Sequence, residues 1–462
     1  MKVGIRVIIL MTFFSGFSQE MTLRKGAVID NLTVSDTLTS TFALYLPTTF
    51  SSENPTPIVF VVDPQQRGKQ ALSLFLEAAE KYNFAIAAPN SISADTTLEE
   101  NTRNFLVTFQ RVSELLRLDS NHIYIAGHQQ GGDVALVAPA FIKGINGLII
   151  SGTSMNPTQL MNMKNQFFGV ISIIGIEDYR MIDLWSTRPW LTNLKKFNEL
   201  YLVQEGSSWP LPQYLTKAMR SFQLQNVLKA KMPRVDSKLT EMYADDMAFG
   251  AELEAKGHYA QAMELYESME SDYKPLVDIS SLKEHIKELK RNSTYKAQAA
   301  TRTKAIQEEI YKRDEFMAFI EEDISSKNLS NLGWWYDTLD LLKKDEPNQE
   351  MAFMNKRLLA FVDALISDHL KKLVNEPKDD SHIFLWVLQI MLNEKRYESY
   401  KNIISLSAEN SDYGTAYYYL EEMLKNGYKD EQGVYSIEHT AILRITPEFN
   451  ELVKKYLGTS RY

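Results

Sequence analysis

The chain of 462 residues has no cysteine and only seven histidines. Without cysteine there is no disulfide framework, no thiol nucleophile and no thiolate metal site. With so few histidines, general-base chemistry has few places to sit. After the N-terminal segment, no apolar stretch reaches the roughly 20 residues that a membrane-spanning helix needs. A net charge of −9 and a pI near 5.5 argue against a nucleic-acid partner.

The residues that are present describe a chain able to bury real cores. Hydrophobic residues make up 44%, aromatic residues 11% and charged residues 24%, which argues against wholesale disorder. The length predicts two or three domains.

The N-terminus reads as a secretory signal peptide over residues 1–18. Lys2 and Arg6 form a positive start, Val7–Phe14 is a short apolar run, and Gly16-Phe17-Ser18 supplies small residues before the cleavage point. A membrane anchor is the alternative, but the run is too short to span. No cysteine follows it, so the expectation is an exported chain, periplasmic or extracellular, and not a lipoprotein.

From residue 19 to about 225, apolar runs alternate with helical segments. Strands are predicted at Thr41–Leu46, Ile58–Val62, Ala85–Ala88, His122–Ala126, Gly147–Ser151, Val170–Ile174 and Leu200–Val203. Unbroken Val, Ile, Phe and Ala suit strands buried on both faces. Helices are predicted at Lys69–Lys81, Glu99–Leu116, Gly132–Phe141 and Asp178–Lys196, giving a doubly wound, mostly parallel α/β domain. Residues 226–462 carry helical periodicity. There Gly250, Leu253, Gly257, Tyr259, Ala262 and Tyr266 fall at spacings resembling a tetratricopeptide repeat, so an all-α, tetratricopeptide-like domain is expected. Trp386, Tyr397 and Tyr400, and the stretch Tyr413–Lys425, suggest further helices without a clean period.

The most informative stretch runs Ile123-Tyr124-Ile125-Ala126-Gly127-His128-Gln129-Gln130-Gly131-Gly132-Asp133. A buried strand enters a glycine-flanked turn that opens a helix. This resembles the nucleophile elbow of α/β-hydrolases, G-x-S-x-G, with Gly127, Gly131 and Gly132 in place and Gln129 where serine belongs. The resemblance covers about residues 40 to 215, in the manner of secreted esterases of the dienelactone-hydrolase and polyhydroxybutyrate-depolymerase kind. It implies oxyanion-hole amides from the Asp63–Gly68 loop, at Pro64 and Gln65, and from Gln130. It places the acid at Asp178, with Glu177 as runner-up. It places the histidine at Ser207, within Glu205-Gly206-Ser207-Ser208-Trp209-Pro210.

The departures decide the chemistry. Acyl transfer needs a nucleophile and a base, and an amide such as Gln129 is neither. In this half only His122 and His128 remain, the first at the far end of the elbow strand and the second turned into packing. Ser207 or Ser208 as a new nucleophile would have only Asp178, Glu177 or Glu205 nearby, none with a pKa suited to shuttling the proton. The expectation is a pseudo-hydrolase of the cell envelope that works by binding or scaffolding. The alternative is an active serine-type esterase or hydrolase with a relocated or misaligned triad. A residual cleft would suit a small carbonyl or carboxylate ligand, helped by the helix N-terminus at Gly131–Asp133 and opposed by Asp133.

No cofactor or metal is expected. Gly68-Lys69 lacks the spacing of a phosphate-binding loop, and no H-E-x-x-H set occurs. Trp334-Trp335-Tyr336 reads as helix packing before it reads as a docking surface. Lys283–Lys296, Asp245-Asp246 and Glu321-Glu322-Asp323 read as solvated helix faces. Helix-pair solenoids form concave binding surfaces, so a protein partner is expected on the helical half.

Overall fold

The computed structural model describes residues 24–35, 37–164, 166, 168–204 and 208–462. Residues 1–18, expected to be a signal peptide, and Glu205, Gly206 and Ser207 lie outside the described residues. Among the described residues eight strands form one sheet in the order β1-β2-β4-β3-β5-β6-β7-β8. They are β1 Val28–Ser35, β2 Leu38–Tyr45, β3 Thr56–Val62, β4 Ala85–Pro89, β5 Leu118–His128, β6 Ile145–Ser151, β7 Gly169–Gly175 and β8 Asn198–Val203. β2 is antiparallel to β1 and β4, and the other pairs are parallel. This is the strand order of the α/β-hydrolase fold.

All seven predicted strands are present, and β1 is added at the edge. Helices α1 Gly68–Ser73, α2 Leu76–Tyr82 and α7 Pro212–Leu228 cover one face. Helices α3 Leu98–Leu115, α4 Gln130–Val137 and α6 Met181–Asn193 cover the other, and α5 is Pro157–Met163. The alternation is visible along β3, where Ile58, Phe60 and Val62 enter one core and Val59 and Val61 the other. Burial on both faces is why these strands read as unbroken apolar runs.

After α7 the chain is helical: α8 Asp236–Ala255, α9 Tyr259–Tyr273, α10 Ser280–Leu289, α11 Ser293–Ser326, α12 Leu332–Lys343, α13 Gln349–Lys372, α14 Asp380–Leu392, α15 Tyr397–Glu409, α16 Tyr413–Lys425, α17 Glu431–Tyr435 and α18 Pro447–Leu457. In the α8–α9 pair a Cβ on Gly250 would lie 2.3 Å from the Tyr266 ring. A missing side chain there admits the aromatic one, as the repeat spacing implies. The helices beyond are unequal, α11 having 34 residues and α12 having 12, which breaks any fixed period. Trp335 is fully buried beside Phe316 and Leu339, while Tyr336 stays exposed.

Two acidic stretches differ from expectation. Asp246 is buried and held by Arg220 at 2.7 Å, Lys217 at 3.4 Å and the Tyr273 hydroxyl at 2.8 Å. Asp323 is buried and accepts from Trp335 Nε1 at 2.9 Å and Asn331 Nδ2 at 2.8 Å. Each partner lies on another helix or a later turn, and helical spacing alone does not reveal it.

Candidate functional site

The site lies at the carboxyl ends of the parallel strands. The chain passes from β3 outward to β4 and then back across to β5, so the order reverses between β3 and β5. Such a switch point is where open α/β sheets form their binding crevice. Asp63 follows β3 and Gln129 follows β5, one on each side of it.

Gln129 has φ 50° and ψ −122°, outside the allowed regions for a residue with a side chain. Its amide donates to the Ser151 carbonyl at 2.7 Å, and its carbonyl accepts from the Gly132 amide at 2.8 Å. The flanking glycines are sterically required. A Cβ on Gly127 would lie 2.1 Å from the Gly131 carbonyl oxygen, one on Gly131 would lie 2.1 Å from that of Val62, and one on Gly132 would lie 2.4 Å from Thr153 Cγ2. The turn therefore has the strained strand-to-helix geometry of a nucleophile elbow, with an amide side chain at its apex.

On the β3 side, Pro64 has no N–H to offer, and the Gln65 amide donates to Asp63 Oδ1 at 2.8 Å. Gln130 begins α4 with an exposed side chain. Asp63 is buried and also accepts from Trp209 Nε1 at 2.7 Å and from Arg67 at 3.1 Å. Burial raises its pKa, but the bonds from Arg67, Trp209 and the Gln65 amide outweigh that and hold it below the usual carboxylate range.

On the β7 side, Asp178 is gripped by Arg180. Nε meets Oδ1 and Nη2 meets Oδ2, both at 3.0 Å, and the Arg180 amide adds a third bond at 3.0 Å. Glu177 instead pairs with Lys356 of α13 at 2.6 Å. Asp133, in the first turn of α4, is bonded by Thr153 at 2.8 Å. Burial raises its pKa, opposed by Thr153 and the charge of Arg180.

The two histidines of this half both have partners within it. His122 Nδ1 sits 2.7 Å from Asp119 at the amino-terminal side of β5. His128 is buried, tilted against the Trp209 ring at 5.4 Å, with Nδ1 3.3 Å from Ser151 Oγ. Ser208 lines the groove beside Trp209 and Asp63. One imidazole reaches this edge from the helical half: His258, ahead of α9, lies 3.5 Å from Gln204 just after β8.

The helical half also grips the segment between β7 and α6. Arg357 of α13 donates to the Ile176 carbonyl at 2.7 Å, and Arg313 of α11 bonds the Tyr179 carbonyl and pairs with Asp183 at 3.0 Å. Glu309 of α11 lies between the two arginines, 2.7 Å from Arg357 and 3.7 Å from Arg313. These residues are far from the elbow in sequence and carry no motif, so nothing in their local pattern marks them.

No protein-family model matches the chain, and no curated protein matches it in sequence. Among solved structures it is similar to Est1E from Butyrivibrio proteoclasticus, at 14% identity over 44% of this chain and 99% of that one, with a TM-score of 0.34. It is also similar to the fluorophosphonate-binding serine hydrolase FphF of Staphylococcus aureus, at 13% identity over 43% and 99%, with a TM-score of 0.36. A third is the S-formylglutathione hydrolase FrmB of Staphylococcus aureus, at 13% identity over 44% and 98%, with a TM-score of 0.33.

Proposed function

We propose that this chain is an exported pseudo-hydrolase that acts by binding or scaffolding in the cell envelope, with its helical half carrying a protein partner. The observation that carries this reading is Gln129 at the apex of the elbow. A carboxamide there has no proton-transfer chemistry and cannot form the acyl ester. Three further features support it. Asp178 is committed to Arg180, the Gln65 amide is committed to Asp63, and the sequence has serine rather than histidine at position 207.

The residual cleft suits a small carbonyl or carboxylate compound only at the first turn of α4, where Asp133 opposes negative charge unless it is protonated. Binding there is secondary to the protein partner in this reading. The test is exposure of the purified chain to a fluorophosphonate probe, which marks activated serines. The reading expects no covalent label, and a stoichiometric label on any serine of the cleft would overturn it.

A further inference from the structure

Toward the outer edge of the sheet, β8 meets α8 and α9 across a cavity. Its lining includes Glu199, Tyr214, Phe249, Glu264, Ser268 and Arg188. The space measures about 50 Å³ for the centre of a water molecule. At ~10–15 Å³ per water-sized group, that is room for roughly three to five non-hydrogen atoms.

Glu199 is 8% exposed, and its carboxylate is held by two neutral donors, the Tyr201 hydroxyl and the Ser268 hydroxyl, the latter at 3.2 Å. No cation forms an ion pair with Glu199 among the described residues, although Lys217 lies over the Tyr201 ring at 5.7 Å. Lys217 and Arg220 bind Asp246 at 3.4 and 2.7 Å, and Arg302 binds Glu264 at 3.2 Å. Arg188, which lines the same cavity, lies over Trp185 with its guanidinium 5.9 Å from the ring and makes no ion pair with Glu199 among the described residues. A carboxylate buried without a cation is costly. Burial, and then the charge of Glu199, push the neighbouring Asp272 up to about 7, opposed by the charge of Lys217 and a bond from Gln225. Tyr214 and Phe249 pack edge to face at 5.5 Å, presenting aromatic surface of the kind that attracts organic cations.

We propose that this cavity binds a small organic ammonium ion, its charged head against Glu199 and its alkyl part against Tyr214 and Phe249. The hydroxyls of Tyr201 and Ser268 fix the carboxylate, and the aromatic and leucine walls favour an alkylammonium over a hydrated metal ion. This site is independent of the elbow.

The test is titration of the full chain with n-propylammonium chloride at constant ionic strength, followed by calorimetry, with 1-propanol and sodium chloride as controls. The expected result is saturable one-site binding that 1-propanol does not show, weakened about tenfold or more in Glu199→Gln. The proposal is overturned if the chain shows no saturable binding. It is also overturned if natively folded Glu199→Gln binds equally well, or if sodium competes at equal concentration. Binding that appears only after Arg188→Gln would assign Arg188 as the counter-ion and overturn it too. If Glu199→Gln fails to fold, Phe249→Leu takes its place. Weaker binding there supports the site, and unchanged affinity rejects it.

Discussion

Arg180 holds both carboxylate oxygens of Asp178 at 3.0 Å, so the residue that the sequence resemblance expects as the acid already has its cation. In a working triad that carboxylate orients an imidazole. Here it orients a neighbouring guanidinium, and the pair fixes the turn between β7 and α6.

That pair limits any attempt to rebuild activity. Gln129→Ser with Ser207→His would supply the two reacting groups that the sequence resemblance expects, but would leave Asp178 occupied. Adding Arg180→Gln to the double variant is expected to raise ester turnover by about tenfold or more, since the orienting acid contributes strongly in triads. The check is steady-state hydrolysis of a short nitrophenyl ester by both variants.

The elbow geometry predicts an order of stabilities. At φ 50° and ψ −122°, glycine fits without strain, whereas a β-branched residue fits worst. Gln129→Gly is expected to exceed Gln129→Val by ~2 kcal/mol or more in urea unfolding.

Close approach makes a sharper demand at the next glycine. Gly131→Ala would drive a methyl to 2.1 Å from the Val62 carbonyl oxygen, backbone that cannot yield cheaply. The expected loss is roughly 3 kcal/mol or more, or failure to fold, read by circular dichroism and urea unfolding.

At the seam between the halves, Arg357→Ala would leave Glu309 buried with only the more distant Arg313. Breaking a buried ion pair on one side costs about 3–5 kcal/mol. The variant is expected to lose that much in urea unfolding and to expose residues 176–183 to faster amide exchange.

Asp272 gives the pH dependence. Its folded pKa, pushed up to about 7 by burial and by Glu199, lies above its unfolded value. The folded state therefore holds a proton that the unfolded state has released, and stability falls as pH rises from the ordinary carboxylate range through about 7. Asp272→Asn is expected to remove that fall and to be the more stable protein at pH ~8 by roughly 1–3 kcal/mol, measured by urea unfolding across pH.

Much of the fold was legible because burial on both faces leaves an unambiguous trace in β3 to β8. β1 left none. It is an edge strand containing Asp30 and Asn31, the latter at φ 57°, and its two faces differ in burial. The elbow was legible because its glycines are dictated by local backbone contact. Its surroundings were not. Asp63 with Trp209, Arg313 with Asp183 and Arg357 with the Ile176 carbonyl join segments far apart in the chain, and charged side chains on helix faces look solvated until their partners are known. His258 is the clearest case, since counting histidines within the α/β half passed over one that the helical half brings to the end of β8.

The central claim is that the elbow does not turn over esters. The most direct measurement is nitrophenyl acetate hydrolysis by the purified chain beside Gln129→Ala, Asp178→Asn and His258→Ala variants. The account predicts that all four proteins match the uncatalysed rate. Turnover by the unaltered chain that survives purification and is abolished by any of these substitutions would contradict it.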